Sequence, residues 1–324
     1  MARTSIDVVI PIYGGWALTQ RCLATLAAQT RAHRAIVVDN ASPDDSVARL
    51  RSEAPGVDVV ETGANRGYAA AVNGGLAAGS GEVVVVLNND VLLEPDFLER
   101  LVAPLEADPA LGSVTPLLLR PDERTIDNAG LAADPTLAGF PRLQGRPAAD
   151  ARLAAPRLLG PSGAAAAYRR AALEAIGGYD ERIFLYQEDL DAALRLRDAG
   201  WPTTLAVQAR GVHLGSATTG RRSASQRRHA AWARGYLLRR YGVLKSAQAP
   251  RALLTEAIVA AGDLVISRDA VALRGRLAGW RAAGGAAPRR VPAAAIDDAI
   301  GFRASLQLRR SDYALAEAPA EPRG

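Results

Sequence analysis

The chain has 324 residues, 49% of them hydrophobic, which is enough for one large or two smaller folded units with a substantial core. Its single cysteine, Cys22, excludes an internal disulfide and points to a reducing compartment. The net charge of +5 is uneven: carboxylates crowd the first two thirds and arginines gather from Arg210 onward, which suits a phosphate-bearing partner. Those arginines lack aromatic residues interleaved on a strand platform, which argues against nucleic acid.

In chain order, Ile6 to Pro11 reads as a first strand, too short for a secretory leader. No apolar run approaches the ~20 residues of a spanning helix. A cytoplasmic protein is expected, soluble or peripheral at the inner face of the cell membrane. Trp16 to Gln29 follows as an amphipathic helix with Leu18, Cys22, Leu23 and Leu26 inward. Strands at 35–39 and 57–61 and helices at 46–54 and 68–78 lead to Val83-Val84-Val85-Val86-Leu87, a run apolar enough to be buried on both faces. A helix over about 95–106 completes the alternation, which calls for a parallel, doubly wound sheet. The rhythm then changes. Segments 113–119 and 125–131 read as strands, 134–156 as a long loop, 162–168 as a strand of small residues, 187–199 as a helix and 203–207 as the last strand. A basic helix at 225–241 and two more helices at 253–264 and 270–282 follow. The Ala/Pro/Arg-rich residues 285–324 read as a loosely ordered tail.

Several polar groups interrupt this pattern where strands end. Asn88, Asn89 and Asp90 follow the valine strand, at the edge where open α/β sheets bind ligands. Asp39 ends the second strand, placed either to accept a base N–H or to make an Asx turn through Ser42. Asn65-Arg66-Gly67 opens a helix whose first N–H groups can face an anion. Glu188, Asp189 and Asp191 crowd the start of another helix, either to complement its dipole, with Asp191 paired to Arg195, or to present a general base. His213 follows the last strand, as a structural hydrogen bonder or as a ligand for a hard divalent ion.

Together these residues resemble a family 2 glycosyltransferase of the GT-A fold, nearest to bacterial rhamnosyltransferase-like enzymes of surface polysaccharide synthesis. The matching pieces run in order: Val8-Val9-Ile10-Pro11-Ile12-Tyr13, Val37-Val38-Asp39-Asn40-Ala41-Ser42, Asn65-Arg66-Gly67-Tyr68, Leu87-Asn88-Asn89-Asp90, Gly177-Gly178-Tyr179-Asp180-Glu181, Glu188-Asp189-Leu190-Asp191 with Arg195, Gly200-Trp201 and His213. The resemblance implies a Rossmann-like, mostly parallel sheet flanked by helices over residues 1–215, with a helical C-terminal extension at 216–284. It implies that Pro11, Tyr13 and Asp39 hold the nucleoside, and that Asn65, Arg66 and Asn89 line the nucleotide site. Asp90 and His213 would bind a divalent metal, Mn²⁺ or Mg²⁺. Asn88 stands where the family's Asp-X-Asp motif has its first acid. Asp189 would be the base, with Glu188 and Asp191 as substitutes. The implied reaction is inverting transfer from a UDP- or dTDP-sugar to a glycan or lipid-linked saccharide, and the basic helix offers a contact with the membrane. The alternatives are a non-catalytic nucleotide-sugar-binding paralogue and a nucleotidyltransferase, although the latter would carry a basic residue in the loop Ile12-Tyr13-Gly14-Gly15-Trp16.

Overall fold

The computed structural model describes residues 4–152, 157–215 and 223–314. Its contacts divide the chain into two units, one of Met1–Ala132, Pro141–Thr218 and Val291–Ala295, the other of Ala133–Phe140, Thr219–Arg290 and Ile296–Gly324.

The first unit alternates β1 (Ile6–Ile12), α1 (Trp16–Ala27), β2 (Arg34–Asp39), α2 (Ser46–Glu53), β3 (Asp58–Glu61), α3 (Tyr68–Ala78) and β4 (Val83–Leu87). A short β5 (Val91–Leu93), α4 (Phe97–Ala107), β6 (Ser113–Leu119) and β7 (Ile126–Asn128) follow. Two three-residue strands, β8 (Leu131–Ala133) and β9 (Gly139–Pro141), pair with each other. Then come β10 (Ala165–Arg169), α5 (Arg170–Ala175), α6 (Glu188–Asp198) and β11 (Thr203–His213). The main sheet runs β3-β2-β1-β4-β10-β6-β11-β5, with β7 beside β6. β3, β2, β1 and β4 are parallel, whereas β10 is antiparallel to both its neighbours.

Alternation along the strands builds a layer on each face. Val83, Val85 and Leu87 join Leu26, Phe97 and Leu101 on one face, while Val84 and Val86 join Ala69, Val72 and Leu196 on the other. All five β4 side chains are buried, and each contributes roughly 1.5–3 kcal/mol of hydrophobic stabilisation. A polar residue intrudes at Asp7. Its carboxylate accepts from Arg170 Nη2 at 2.7 Å and from the Gly81 N–H at 2.6 Å, which makes the burial tolerable.

The sequence reading stopped the last strand at 207, yet β11 continues to His213. Its register against β6 shifts between Ala206 and Arg210, a bulge that periodicity cannot reveal. The extra length pairs Gly211, Val212 and His213 antiparallel with β5, so His213 sits opposite Val91, the residue after Asp90.

The second unit holds α7 (Ala224–Arg240), α8 (Ala249–Ser267), α9 (Val271–Ala282) and α10 (Phe302–Ala314) with the 133–140 excursion. α7 and α9 cross backbone to backbone: a Cβ on Gly279 would stand 1.9 Å from the Trp232 carbonyl oxygen, so only glycine fits. Two buried carboxylates tie the unit together. Glu256 takes Arg234 at 2.7 Å, Arg276 at 3.0 Å and Arg309 at 3.2 Å. Asp134 accepts from the Thr136 and Ala138 N–H groups and from the Ser305 hydroxyl at 2.6 Å. Ser305 and Arg309 belong to α10, so over 302–314 the expected loose tail is a helix, held by polar anchors that leave no apolar period to read. Among the described residues no helix is long and apolar enough to cross a membrane.

Candidate active site

The polar residues singled out at strand ends meet at one end of the first unit's sheet. Antiparallel pairing of Ala165 with Leu87 brings the segment before β10 beside Asn88, whose N–H donates to the Ala164 carbonyl at 2.9 Å. The Tyr68 hydroxyl, at the start of α3, stands 2.9 Å from Asn88 Oδ1 and 2.7 Å from the Gly163 carbonyl oxygen. The Gly163 N–H in turn donates to Asp189 Oδ2 at 2.8 Å. A chain of contacts thus runs from the end of β4 through Tyr68 to the first turn of α6.

That turn is reached through two consecutive left-handed residues, Tyr186 at φ 70° and Gln187 at φ 63°. Neither is glycine, and each such residue costs on the order of 1–2 kcal/mol. The turn swings Glu188 and Asp189 toward Gly163: a Cβ there would lie 3.5 Å from Asp189 Oδ2 and 3.6 Å from Glu188 Oε1. Burial, together with the Asp189 charge, pushes Glu188 up to about 8, and its Oε2 is buried without a hydrogen bond. Burial also raises Asp189, but two backbone N–H donors, from Gly163 and Leu190, act in the opposite direction. Asp191 is different. It is fully buried and bonded to Arg195 Nε at 2.8 Å, while the same guanidinium donates to the Ile176 and Gly178 carbonyls. Asp191 is therefore a brace of α6, and the structural arm of the sequence alternative holds for it.

A second polar group forms around Asp90, which is 7% exposed. Its Oδ1 has no hydrogen bond of good geometry, and the nearest cation is His213 Nε2 at 3.3 Å. His213 Nδ1 lies 2.8 Å from Asp127 Oδ2. Burial alone would lower the imidazole, but the hydrogen bond to Asp127 and the charge of the nearby Asp90 carboxylate drive it up to about 10. Asp127 went unnoticed in the sequence because it lies 86 residues from His213 in a three-residue strand. The crossing of β7 on β6, with β11 alongside, brings them together. A carboxylate oxygen and an imidazole nitrogen suit Mn²⁺ or Mg²⁺ when substrate oxygens and water complete the shell. Among the described residues no cluster of three or more His, Cys, Asp or Glu side chains forms a closed metal cage. Two protein ligands with an open remainder fit an ion shared with a diphosphate. Asn88 contributes its amide oxygen to Tyr68 instead.

The remaining candidates frame the loops. Pro11 is buried inside β1, its register partner being Val38, whereas Tyr13 is 44% exposed. Asp39 is 3% exposed, and both its oxygens accept from the Ser42 N–H at 3.1 and 3.3 Å, so the Asx turn is present. Ser42 Oγ accepts from the Gly14 N–H at 2.6 Å, tying the loop after β1 to the loop after β2. Asn65 Oδ1 accepts from Asn40 Nδ2 at 3.0 Å and from the Gly67 N–H at 3.1 Å, which closes the 65–67 loop. Arg66 is exposed and bonded to Glu181 at 3.0 Å. Asn89 Nδ2 donates to Thr19 Oγ1 at 2.9 Å, so it anchors the strand end to α1. The Tyr68 N–H donates to the Phe184 carbonyl at 2.7 Å, and Gly67, at φ 88°, is pressed so closely that a Cβ would lie 2.4 Å from that oxygen. The 65–67 loop and the turn before α6 are thus in direct contact.

The sequence profile described as Glycosyl transferase family 2 matches residues 7–177. The chain is 31% identical over 243 residues to the N-acetylglucosaminyl-diphospho-decaprenol L-rhamnosyltransferase of Mycobacterium tuberculosis, covering 68% of this chain and 79% of that protein. It is 33% identical over 110 residues to an undecaprenyl-phosphate 4-deoxy-4-formamido-L-arabinose transferase of Sodalis glossinidius, covering 32% of this chain and 34% of that one. Among solved structures it is similar in fold to the mannosyltransferase PcManGT of Pyrobaculum calidifontis, determined with GDP-Man and Mn²⁺. The TM-score is 0.54 at 23% identity, over 97% of this chain and 84% of that one.

Proposed function

The chain belongs to glycosyl transferase family 2, and on that premise we propose that it moves a sugar, with inversion, from a UDP- or dTDP-sugar to a hydroxyl of a glycan or lipid-linked saccharide. The observation that carries this is the linked pair of acids at the strained start of α6, joined through Gly163 and Tyr68 to the strand end that bears Asp90.

Two neighbouring buried carboxylates do not both ionise readily, so near neutrality the pair shares one proton. Glu188 is the member that keeps it, being raised to about 8 with an oxygen that no donor satisfies. Asp189, with two N–H donors, carries the charge and is the general base. It takes the acceptor hydroxyl proton while that oxygen attacks the anomeric carbon and the bond from that carbon to the diphosphate oxygen breaks. Attack opposite the leaving group inverts the anomeric centre. Asp90 and His213 would hold a divalent ion, with Asp127 fixing the imidazole from its far nitrogen. When bound, such an ion neutralises the charge that grows on the departing diphosphate. Tyr13 and the turn closed by Asp39 offer a surface for the nucleoside, and Arg66 a charge near its phosphates. The decaprenol-linked substrate in the mycobacterial relative's name supports a lipid-linked saccharide as acceptor.

The test is nucleoside diphosphate release from a panel of UDP-, dTDP- and GDP-sugars, with Mn²⁺, Mg²⁺ or EDTA, beside Asp189→Asn and Asp90→Ala. Metal-dependent UDP or dTDP release lost in both variants is expected. Release that persists undiminished in Asp189→Asn sinks the assignment of the base.

A further inference from the structure

Much of the basic helix offered for membrane contact is turned inward, with Arg228 and Arg239 its exposed arginines. α7 sends Arg234 inward to Glu256 and to the Thr136 and Leu137 carbonyls, pairs Arg227 with Asp269, and rests Arg239 on the Trp280 ring. The exposed apolar surface lies elsewhere. Of the large hydrophobic side chains exposed among the described residues, all but Tyr13 belong to α8 and α9. On α8 these are Leu253, Leu254, Ile258, Leu264, Val265 and Ile266, with Val265 74% exposed. At the helical advance per residue, all of them except Ile266 share one stripe about 140° wide. Ala252, Thr255 and Asp263, the buried residues of α8, fall on the opposite side. On α9, Leu273 and Leu277 stand one turn apart, 43% and 48% exposed.

Charge decides what this face suits. The exposed charged residues from 249 to 282 are Arg268, Arg274 and Arg281. Every acid in that span is engaged: Glu256 with three arginines, Asp263 with Arg276, Asp269 with Arg227. An apolar stripe accompanied only by positive charge is complementary to a surface that is apolar within and anionic at its rim. A second copy of the chain would present the same arginines with no exposed carboxylate on this face to meet them. Because neither helix is long and apolar enough to span a bilayer, the fitting arrangement is a helix pair lying in the interface.

We propose that the α8–α9 face is a docking surface for an anionic phospholipid membrane, with Leu253, Leu254, Ile258, Leu264 and Val265 in the acyl boundary and Arg274 and Arg281 among the headgroup phosphates. This names the surface on which a lipid-linked acceptor is met, and it rests on the transferase reading for that acceptor alone.

The experiment is flotation of the full chain with phosphatidylcholine vesicles, with and without one third phosphatidylglycerol, in low and high salt. The wild type should float with the anionic vesicles and much less with the neutral ones. Leu254→Glu/Ile258→Glu should lower partitioning at least about 100-fold, since burying each such side chain is worth about tenfold or more. Arg274→Glu/Arg281→Glu should lower it at least about 25-fold and remove the preference for phosphatidylglycerol. Circular dichroism confirms that each variant is folded, and nucleoside diphosphate release from a soluble donor should match the wild type. Wild-type protein that releases diphosphate but does not float overturns the proposal and leaves the transferase reading intact. Flotation without any donor turnover supports the docking surface while the transferase reading fails. Flotation that both double variants retain overturns it. So does a wild-type dimer, seen by light scattering without lipid, that Leu254→Glu/Ile258→Glu splits.

Discussion

Glu256 in the second unit and Glu188 in the first are two glutamates treated in opposite ways. In the second unit Glu256 is surrounded by Arg234, Arg276 and Arg309. Burial works against its charge, but the arginines overcome it and hold the group down at about 2. In the first unit Glu188 is buried still more completely, faces another acid instead of a cation, and rises to about 8. Burial is common to both, so it does not mark function. What distinguishes the proposed site is burial without compensation: an acid left short of donors stores free energy that a substrate proton or a metal ion can draw upon.

That contrast can be broken at several points. The largest effect should come from Asp189→Asn, which removes the proton acceptor and should cost about 10²- to 10⁴-fold in turnover. Its melting temperature should stay level or rise, because a poorly compensated charge is gone. Glu256→Gln should show the reverse pattern in stability, a loss of about 3–5 kcal/mol in denaturant titration, since three arginines lose their counter-charge. A stable Glu256→Gln protein would erase the distinction. Next in size, Asp127→Asn should weaken Mn²⁺ binding about 10- to 100-fold by calorimetry with nucleoside diphosphate present, because His213 loses its orienting partner.

The smallest effects are in pH. Turnover should rise with pH as Asp189, raised by burial, ionises, and should level off before Glu188 gives up its proton near 8. In Glu188→Gln that rise should stay where it is, because Glu188 is neutral while Asp189 ionises. For Glu188, stability moves the opposite way from turnover. Glu188 binds a proton in the folded chain between 4.5 and about 8 that the unfolded chain lacks, so its contribution falls as pH rises through that window. Glu256 is depressed, so its contribution is present above 4.5 and is lost as pH falls toward 2. Chemical denaturation of each Gln variant across pH should flatten only its own limb.

Much of the first unit was legible before any coordinates. β4 declares itself because five successive apolar residues serve two cores at once, and the acids at the start of α6 stand out because three carboxylates fall within four residues. Asp191 was legible only as an alternative, because a side chain one turn from an arginine has two futures that spacing cannot separate. Asp127 was illegible: its meaning arises from a bulge in β11 and from pairing between segments far apart in sequence. α7 and α8 failed for a different reason. Arginines suggested an exposed α7, yet Arg227 and Arg234 are used internally, while Arg228 and Arg239 are exposed. α8 is alanine-rich and apolar on several sides, so its pattern does not tell which side the fold leaves uncovered.

The contact between Gly67 and the Phe184 carbonyl has a consequence for engineering. With the Tyr68 N–H bonded to that same oxygen, the 65–67 loop proposed to face the nucleotide and the turn that aims the two acids have no slack between them. They form one replaceable part. Exchanging the 65–67 loop for that of a transferase with another donor preference, while leaving residues 184–187 as they are, should yield a folded protein whose acids are misdirected; grafting both segments together is the minimum change that preserves the aim.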